Sequence, residues 1–257
     1  MRRGRYSLCK SATDLASSRS LKPSFGKQLV RCGLLMIAES VLARTILALD
    51  TPNLAQACDW VQQYRDKVYA FKAGGVLTLG HGLSVIRTLR EAGAERVFLD
   101  MKFHDIPHAV ALAVRQAAAY GAWMLTLHVA GGEAMLRAAR AALEGVAHPP
   151  LLMGVTVLTS LDAHSLRQMG IPRTPRAQVL RLARLAYDSG LDGVIASPQE
   201  ARLLRRRFPS SFLIVTPGVR PEGFDLGDQK RTATPEQALR WGADLIVMGR
   251  ALLQQKA

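Results

Sequence analysis

RVFLDMKFHDIPHAVALAVRQAAAYGAWMLTLHVA, residues 96–130, holds two apolar runs with a helical pattern between them. The flanking runs, RVFLD (96–100) and MLTLHVA (124–130), are nearly continuous in apolar residues rather than alternating, as parallel strands covered on both faces are. The connecting AVALAVRQAAAYGA places apolar residues at helical spacing and closes at Gly121. The unit therefore reads strand, helix, parallel strand.

The same unit recurs on both sides. Six more runs read as strands: RTILALD (44–50), VYAFKAG (68–74), LLMGVTVLT (151–159), GVIAS (193–197), FLIVTPG (212–218) and DLIVMG (244–249). NLAQACDWVQQYRD, GLSVIRTLREAG and RAQVLRLARLAYDSG supply further amphipathic helices between them. Eight strand–helix units, with no linker or repeat after Met36, predict an α/β single domain over residues 36–257, a (β/α)8 (TIM) barrel. A doubly wound sheet is the rival, but it commonly has fewer strands, and no Gly-rich dinucleotide turn is present.

Composition agrees with a globular fold, at 49% hydrophobic and 21% charged residues. The formal charge is +14, from 34 Lys and Arg against 20 Asp and Glu. Residues 1–35 hold eight of those bases against Asp14 alone, or +7, leaving +7 for the rest. This Ser- and Arg-rich stretch lacks apolar periodicity and is expected to be a disordered extension outside the fold. A transit-like segment and translated upstream sequence before Met36 are its other readings. The apolar run CGLLMIA is too short to cross a bilayer, so no membrane partner is expected. Cys9, Cys32 and Cys58 are odd in number and show no CxxC spacing, which argues against a disulfide framework or zinc site and for a reducing cytoplasm.

In a barrel of this kind, chemistry sits where strands end, at the C-terminal face. Asp50, Lys72, Asp100, His128, Thr159 and the Gly249-Arg250 pair all fall at or just past strand ends. Asp100 and Lys102 are expected to point to one side by strand alternation, with Asp105 following in the turn. Asp105 could instead cap the helix entered through Ile106 and Pro107, with Asp100 and Lys102 merely ion-paired. Lys72 shifts the balance, because desolvating an array of four charges is an expensive way to stabilise a fold.

These residues carry a resemblance. DMKFHDIP (100–107) resembles the active-site signature of the orotidine 5'-phosphate decarboxylase family. ALD (48–50), FKAG (71–74), HVAGG (128–132), VTVLTS (155–160), TPGVRPEG (216–223), GDQKRTATPEQAL (227–239) and MGRAL (248–252) continue it in the family's order. The resemblance implies a (β/α)8 barrel that converts orotidine 5'-monophosphate to uridine 5'-monophosphate and CO2, in de novo pyrimidine biosynthesis, with no metal or organic cofactor. It implies that Lys102 stabilises and protonates the carbanion-like C6 of the pyrimidine, with Asp100 against the departing carboxylate. Lys72 would hold the array and contact the ribose, Asp50 would bind a ribose hydroxyl, and Thr159 would contact the pyrimidine. Arg220, Gln229, Gly249 and Arg250 would serve the phosphate, Gln229 on a loop able to close. Asp105 and Ile106 would act across a homodimer interface.

The chain departs from the family where His108-Ala109 replaces the usual Asn-Thr. The missing hydroxyl at 109 should remove one substrate hydrogen bond, worth about 1 kcal/mol, and weaken binding without abolishing chemistry. FKAGGVLTLG is also richer in Gly than expected. His104 and His108, four apart, could be metal ligands, but Pro107 lies between them and there is no HExxH. His128 reads as a barrel histidine or loop anchor rather than a base, and RLLRRRF (202–208) as a solvated helix face. Two alternatives remain: a related magnesium-dependent phosphosugar decarboxylase or aldolase with the same Asp-x-Lys-x-x-Asp pattern, and a noncatalytic RNA binder using the +14 charge. Nucleic acid is not the expected partner.

Overall fold

The computed structural model describes residues 29–32, 35–221 and 231–253. Each of the eight runs read as strands contributes one strand to a closed parallel barrel: β3 (Thr45–Ala48), β4 (Ala70–Gly74), β5 (Val97–Phe103), β6 (Met124–His128), β7 (Leu151–Val155), β8 (Gly193–Ile195), β9 (Leu213–Thr216) and β10 (Leu245–Met248). Neighbours in the chain are neighbours in the sheet, and β10 closes the ring against β3 through Ile246↔Thr45, Val247↔Ile46 and Met248↔Leu47. No helix among the described residues is long and apolar enough to cross a membrane.

Strand pleating sorts the side chains into two cores. Ile46, Ala70, Phe98, Met124, Met153, Leu213 and Leu245 fill the barrel interior. The alternate residues, among them Leu47, Phe71, Val97, Leu99, Leu125 and Ile214, pack outward against the helices. Both strand faces are therefore apolar, which is why the runs do not alternate in sequence. Gly193 is required by the tight interior: a Cβ there would run into the carbonyl of Leu213 and the thioether methyl of Met153.

The helical patterns fold as expected at Leu54–Tyr64, Val85–Glu91, Pro107–Ala119 and Pro175–Asp188. Helix starts are specified locally. Thr174, Ser197 and Thr234 each accept a backbone N–H with their side chain and precede Pro at the first helical turn, and Thr234 with Gln237 completes a capping box.

Two boundaries differ from expectation. Leu29–Cys32 forms a strand, β1, pairing antiparallel with β2 (Leu35–Ala38), so strand pairing runs across the boundary placed after residue 35. The rest of the extension expected to be disordered, residues 1–28 and 33–34, lies outside the described residues. β5 runs three residues beyond the expected RVFLD (96–100), to Phe103, and thereby takes in Lys102 as well as Asp100. Its pairing with β6 slips there: Leu99 pairs with Leu125, but Phe103 pairs with Leu127.

Candidate active site

Period-two pleating determines which side chains stand above the apolar interior layer. On β4, Ala70 is followed on the same face by Lys72; on β5, Phe98 by Asp100; on β6, Met124 by Thr126. A polar layer therefore caps the inner core at the C-terminal ends of these three adjacent strands. Lys102 joins it differently from the expected simple alternation. The register slip frees its backbone, and it takes φ 50°, the sole non-glycine positive φ among the described residues. Such a conformation costs about 1–3 kcal/mol and persists where surrounding contacts hold it.

The charges form one chain of contacts. Asp50 Oδ1 accepts from Lys72 Nζ at 3.1 Å, Lys72 Nζ lies 3.6 Å from Asp100 Oδ2, and Lys102 Nζ donates to Asp100 at 3.0 Å (Oδ1) and 2.9 Å (Oδ2). Lys72 and Asp100 are nearly enclosed, with side chains 11% and 13% exposed, whereas that of Lys102 is 38% exposed and that of Asp50 is 59% exposed. Burial by itself pushes the Asp100 carboxyl up. The Lys72 and Lys102 ammoniums, with hydrogen bonds from Lys102 and Thr126, more than offset this and hold it below its ordinary value. Asp100 is thus a fixed carboxylate between two amines.

Lys72, Asp100 and Lys102 line one wall of a cavity of about 200 Å³. Across it, Thr159 and Ser160 supply hydroxyl-bearing residues, and Phe98, Val155, Ile195 and Val247 an apolar floor and sides. Such a pocket, largely apolar with a few polar and charged groups in its lining, suits a small ligand carrying a charged substituent. The turn bearing Thr159 is pinned by Arg231, whose guanidinium donates to the carbonyls of Val157 (3.1 Å) and Leu158 (3.0 Å).

The other expected residues are distributed around this centre. Gly249 follows β10, where an added Cβ would lie 3.2 Å from the Ala48 Cβ and 3.7 Å from Asp50 Oδ2, so its backbone borders the Asp50 end of the array. Arg220, partly buried after β9, donates to the Val219 carbonyl, and Arg250 is exposed at the start of the helix Arg250–Leu253. Neither is among the residues lining the cavity. Gln229 lies outside the described residues. Asp105 is exposed and accepts the Ile106 N–H at 2.7 Å; the helix Pro107–Ala119 has Ile106 at its N-cap position and no side-chain cap, so Asp105 does not cap it. Ile106 is 67% exposed. His104 packs its ring 5.3 Å from that of His128, which sits beside the array. Burial, then the proximity of His104 and Lys102, pushes the His128 imidazole below its ordinary value, Asp100 opposing this only in part.

One member of the centre escaped the sequence reading. Thr126, 1% exposed, donates to Asp100 Oδ1 and accepts the Lys102 backbone N–H, each at 2.9 Å. Its signal was a lone hydroxyl within the apolar run MLTLHVA, two residues from Met124 on the inward face.

Residues 43–257 match the model of the Orotidine 5'-phosphate decarboxylase / HUMPS family. The chain is 43% identical over 213 residues to the orotidine 5'-phosphate decarboxylase of Hydrogenovibrio crunogenus, covering 83% of this chain and 90% of that one. It is 44% identical over 217 residues to that of Alcanivorax borkumensis, covering 84% and 94%. Among solved structures, the orotidine 5'-phosphate decarboxylase of Lactobacillus acidophilus superposes with a TM-score of 0.70 at 36% identity, over 81% of this chain and 90% of that one. A closed eight-stranded barrel, a Lys–Asp–Lys array at the ends of its strands and agreement of this extent lead to one assignment: the chain belongs to the orotidine 5'-phosphate decarboxylase / HUMPS family.

Proposed function

We propose that this protein decarboxylates orotidine 5'-monophosphate to uridine 5'-monophosphate, with Lys102 as the acid that stabilises and protonates the negatively charged carbon. The observation that carries the reading is the unbroken contact chain Asp50–Lys72–Asp100–Lys102 on one wall of an apolar cavity. When the carboxylate leaves the pyrimidine, its bonding electron pair stays on C6. An ammonium already fixed beside that carbon lowers the energy of the developing charge without reorganising, and then transfers a proton to it. Asp100 keeps Lys102 in place and its own charge faces the departing carboxylate. Apolar walls strengthen each of these interactions by excluding water.

Asp50 and Lys72 are proposed to take the ribose hydroxyls, Thr159 the pyrimidine, and Arg220, Arg250, Gln229 and the Gly249 backbone the phosphate. Arginine suits that role because its planar fork can give two charge-assisted hydrogen bonds to one phosphate. Barrels commonly bind phosphate beside their seventh and eighth strands, which here are β9 and β10. Asp105 and Ile106, both exposed in the single chain, are proposed to complete the site of a second copy in a homodimer. The relatives cited at 43% and 44% identity both bear the decarboxylase name, which favours this reading over a magnesium-dependent phosphosugar enzyme.

The test is CO2 release from orotidylate by the wild type and by Lys102→Ala, each with and without a strong chelator. Turnover by the wild type in chelator, with a loss of about 1,000-fold or more in the variant, is expected. Equal rates for both proteins would overturn the assignment of Lys102. Loss of wild-type turnover in chelator would point to the magnesium-dependent reading.

A further inference from the structure

We infer that Thr126 is a positioning residue for the Asp100–Lys102 pair, its one hydroxyl fixing both the carboxylate of the acid and the backbone of the amine. The inference rests on the proposed decarboxylation. Thr126 stands in mid-β6 between Leu125 and Leu127, both fully buried. A hydroxyl there is unfavourable unless it is satisfied, and Thr126 is satisfied in both senses: it donates to Asp100 Oδ1 (2.9 Å) and accepts from the Lys102 N–H (2.9 Å).

The two bonds act on different degrees of freedom. Asp100 meets Lys72 through Oδ2 and Lys102 through both oxygens, but both amines are on flexible stems that leave the carboxylate free to rotate with them. The Thr126 hydroxyl is carried on a β-branched side chain with a single rotor, and so gives Oδ1 a fixed anchor from the neighbouring strand. Lys102 has the opposite difficulty. It lies in the slipped segment between the Leu99↔Leu125 and Phe103↔Leu127 pairs and adopts φ 50°, unfavourable for a side chain of its size. Its N–H goes to the Thr126 side chain instead of a ladder carbonyl, so the hydroxyl substitutes for the missing strand bond and holds the left-handed turn that aims Nζ back at Asp100. Thr126 is not among the residues lining the cavity, so it acts through the pair and not on a ligand.

Valine at 126 would keep the shape and remove both bonds; serine would keep both. The groups facing Asp100, namely Lys72 from β4, Lys102 from its own strand and His128 with His104 behind it, are unchanged in either variant. Full-length Thr126→Val, Thr126→Ser and Thr126→Ala would be compared with wild type for kcat, KM, the pH profile of kcat/KM and thermal unfolding. The Asp100 carboxyl would be titrated by carbon-13 NMR without substrate. In Thr126→Val, kcat should fall about 10-fold or more with a smaller change in KM. Its acid limb and the Asp100 titration should both move to higher pH, since the ionised carboxylate has lost a donor. Serine should restore all three. If valine prevents folding, alanine against serine supplies the same comparison. A folded Thr126→Val with wild-type kcat and an unmoved Asp100 titration, or a serine variant as impaired as valine, overturns the inference. A wild type that leaves orotidylate intact would instead sink the proposed function, and the NMR titration would still decide whether Thr126 holds the pair.

Discussion

At the residue scale, the centre is governed by how each ionisable group is compensated. Asp100 is nearly enclosed yet stays ionised because two ammoniums and a hydroxyl face it. Its contribution to stability is present above the ordinary carboxyl value near pH 4 and is lost as the pH falls through the depressed folded value. His128 is compensated by losing charge instead: burial, His104 and Lys102 all disfavour the imidazolium. Its neutral form is the stable one when folded, so its contribution is fully present above about pH 6.5 and is lost as the pH falls below that towards the folded value. In His128→Asn, urea unfolding at half-unit pH steps should give a flatter stability curve between about pH 7 and pH 5 than the wild type. Parallel curves would remove His128 as a source of acid sensitivity. The types and order of these residues were legible in DMKFHDIP, but their compensation was not, because Lys72 and Thr126 reach Asp100 from other strands.

At the element scale, β5 shows why a strand's end can be misread. Its apolar run stops at Leu99, yet the strand continues through Asp100, Met101 and Lys102 because the facing cavity, Lys72 and Thr126 accommodate the charges. The loop after β7 is ordered by a comparable long-range device. Arg231 and Glu200 form an ion pair at 2.6 Å with both residues under 10% exposed, and Arg231 also holds the Val157 and Leu158 carbonyls. Removing one member of such a pair strands the other charge in a poorly solvated place. Glu200→Ala should therefore destabilise the protein by about 3–5 kcal/mol in urea unfolding, with a softened wall around Thr159 and a raised KM. A loss below about 1 kcal/mol, the range of exposed pairs, would show that this pair is not isolated from water. The helix starts, by contrast, were fully local: Ser-Pro and Thr-Pro pairs cap and pre-set the first turn wherever they fold.

At the scale of the whole molecule, half of the +14 charge belongs to residues 1–35, and several arginines beyond them serve the barrel itself. Arg44, Arg140, Arg205 and Arg231 are committed to backbone carbonyls and carboxylates that join neighbouring units of the barrel. Arg205, within the stretch read as a solvated face, binds Asp244 and the Pro209 and Phe212 carbonyls; Arg206 and Arg207 are exposed. The proposed dimer has a sharper test than its mass. If Asp105 serves the partner's site, Lys102→Ala and Asp105→Asn are each inactive as homodimers. A mixed dimer then holds one site with both native residues. Refolding an equal mixture should restore about a quarter of the wild-type activity, and no recovery would place Asp105 in its own chain's site or in none.

The sequence by itself determined eight buried parallel strands, the helices between them and the residue types at the strand ends, because pleat, helical period and capping are local properties of a chain. Tertiary structure decided which of those residues meet. Ring closure through β10 and β3 set Gly249 beside Asp50, and the slip between β5 and β6 turned Lys102 onto Asp100. A buried threonine became part of the charged centre. Such outcomes depend on pairing register between segments far apart in the chain, and a local pattern of apolar residues does not encode register one position at a time.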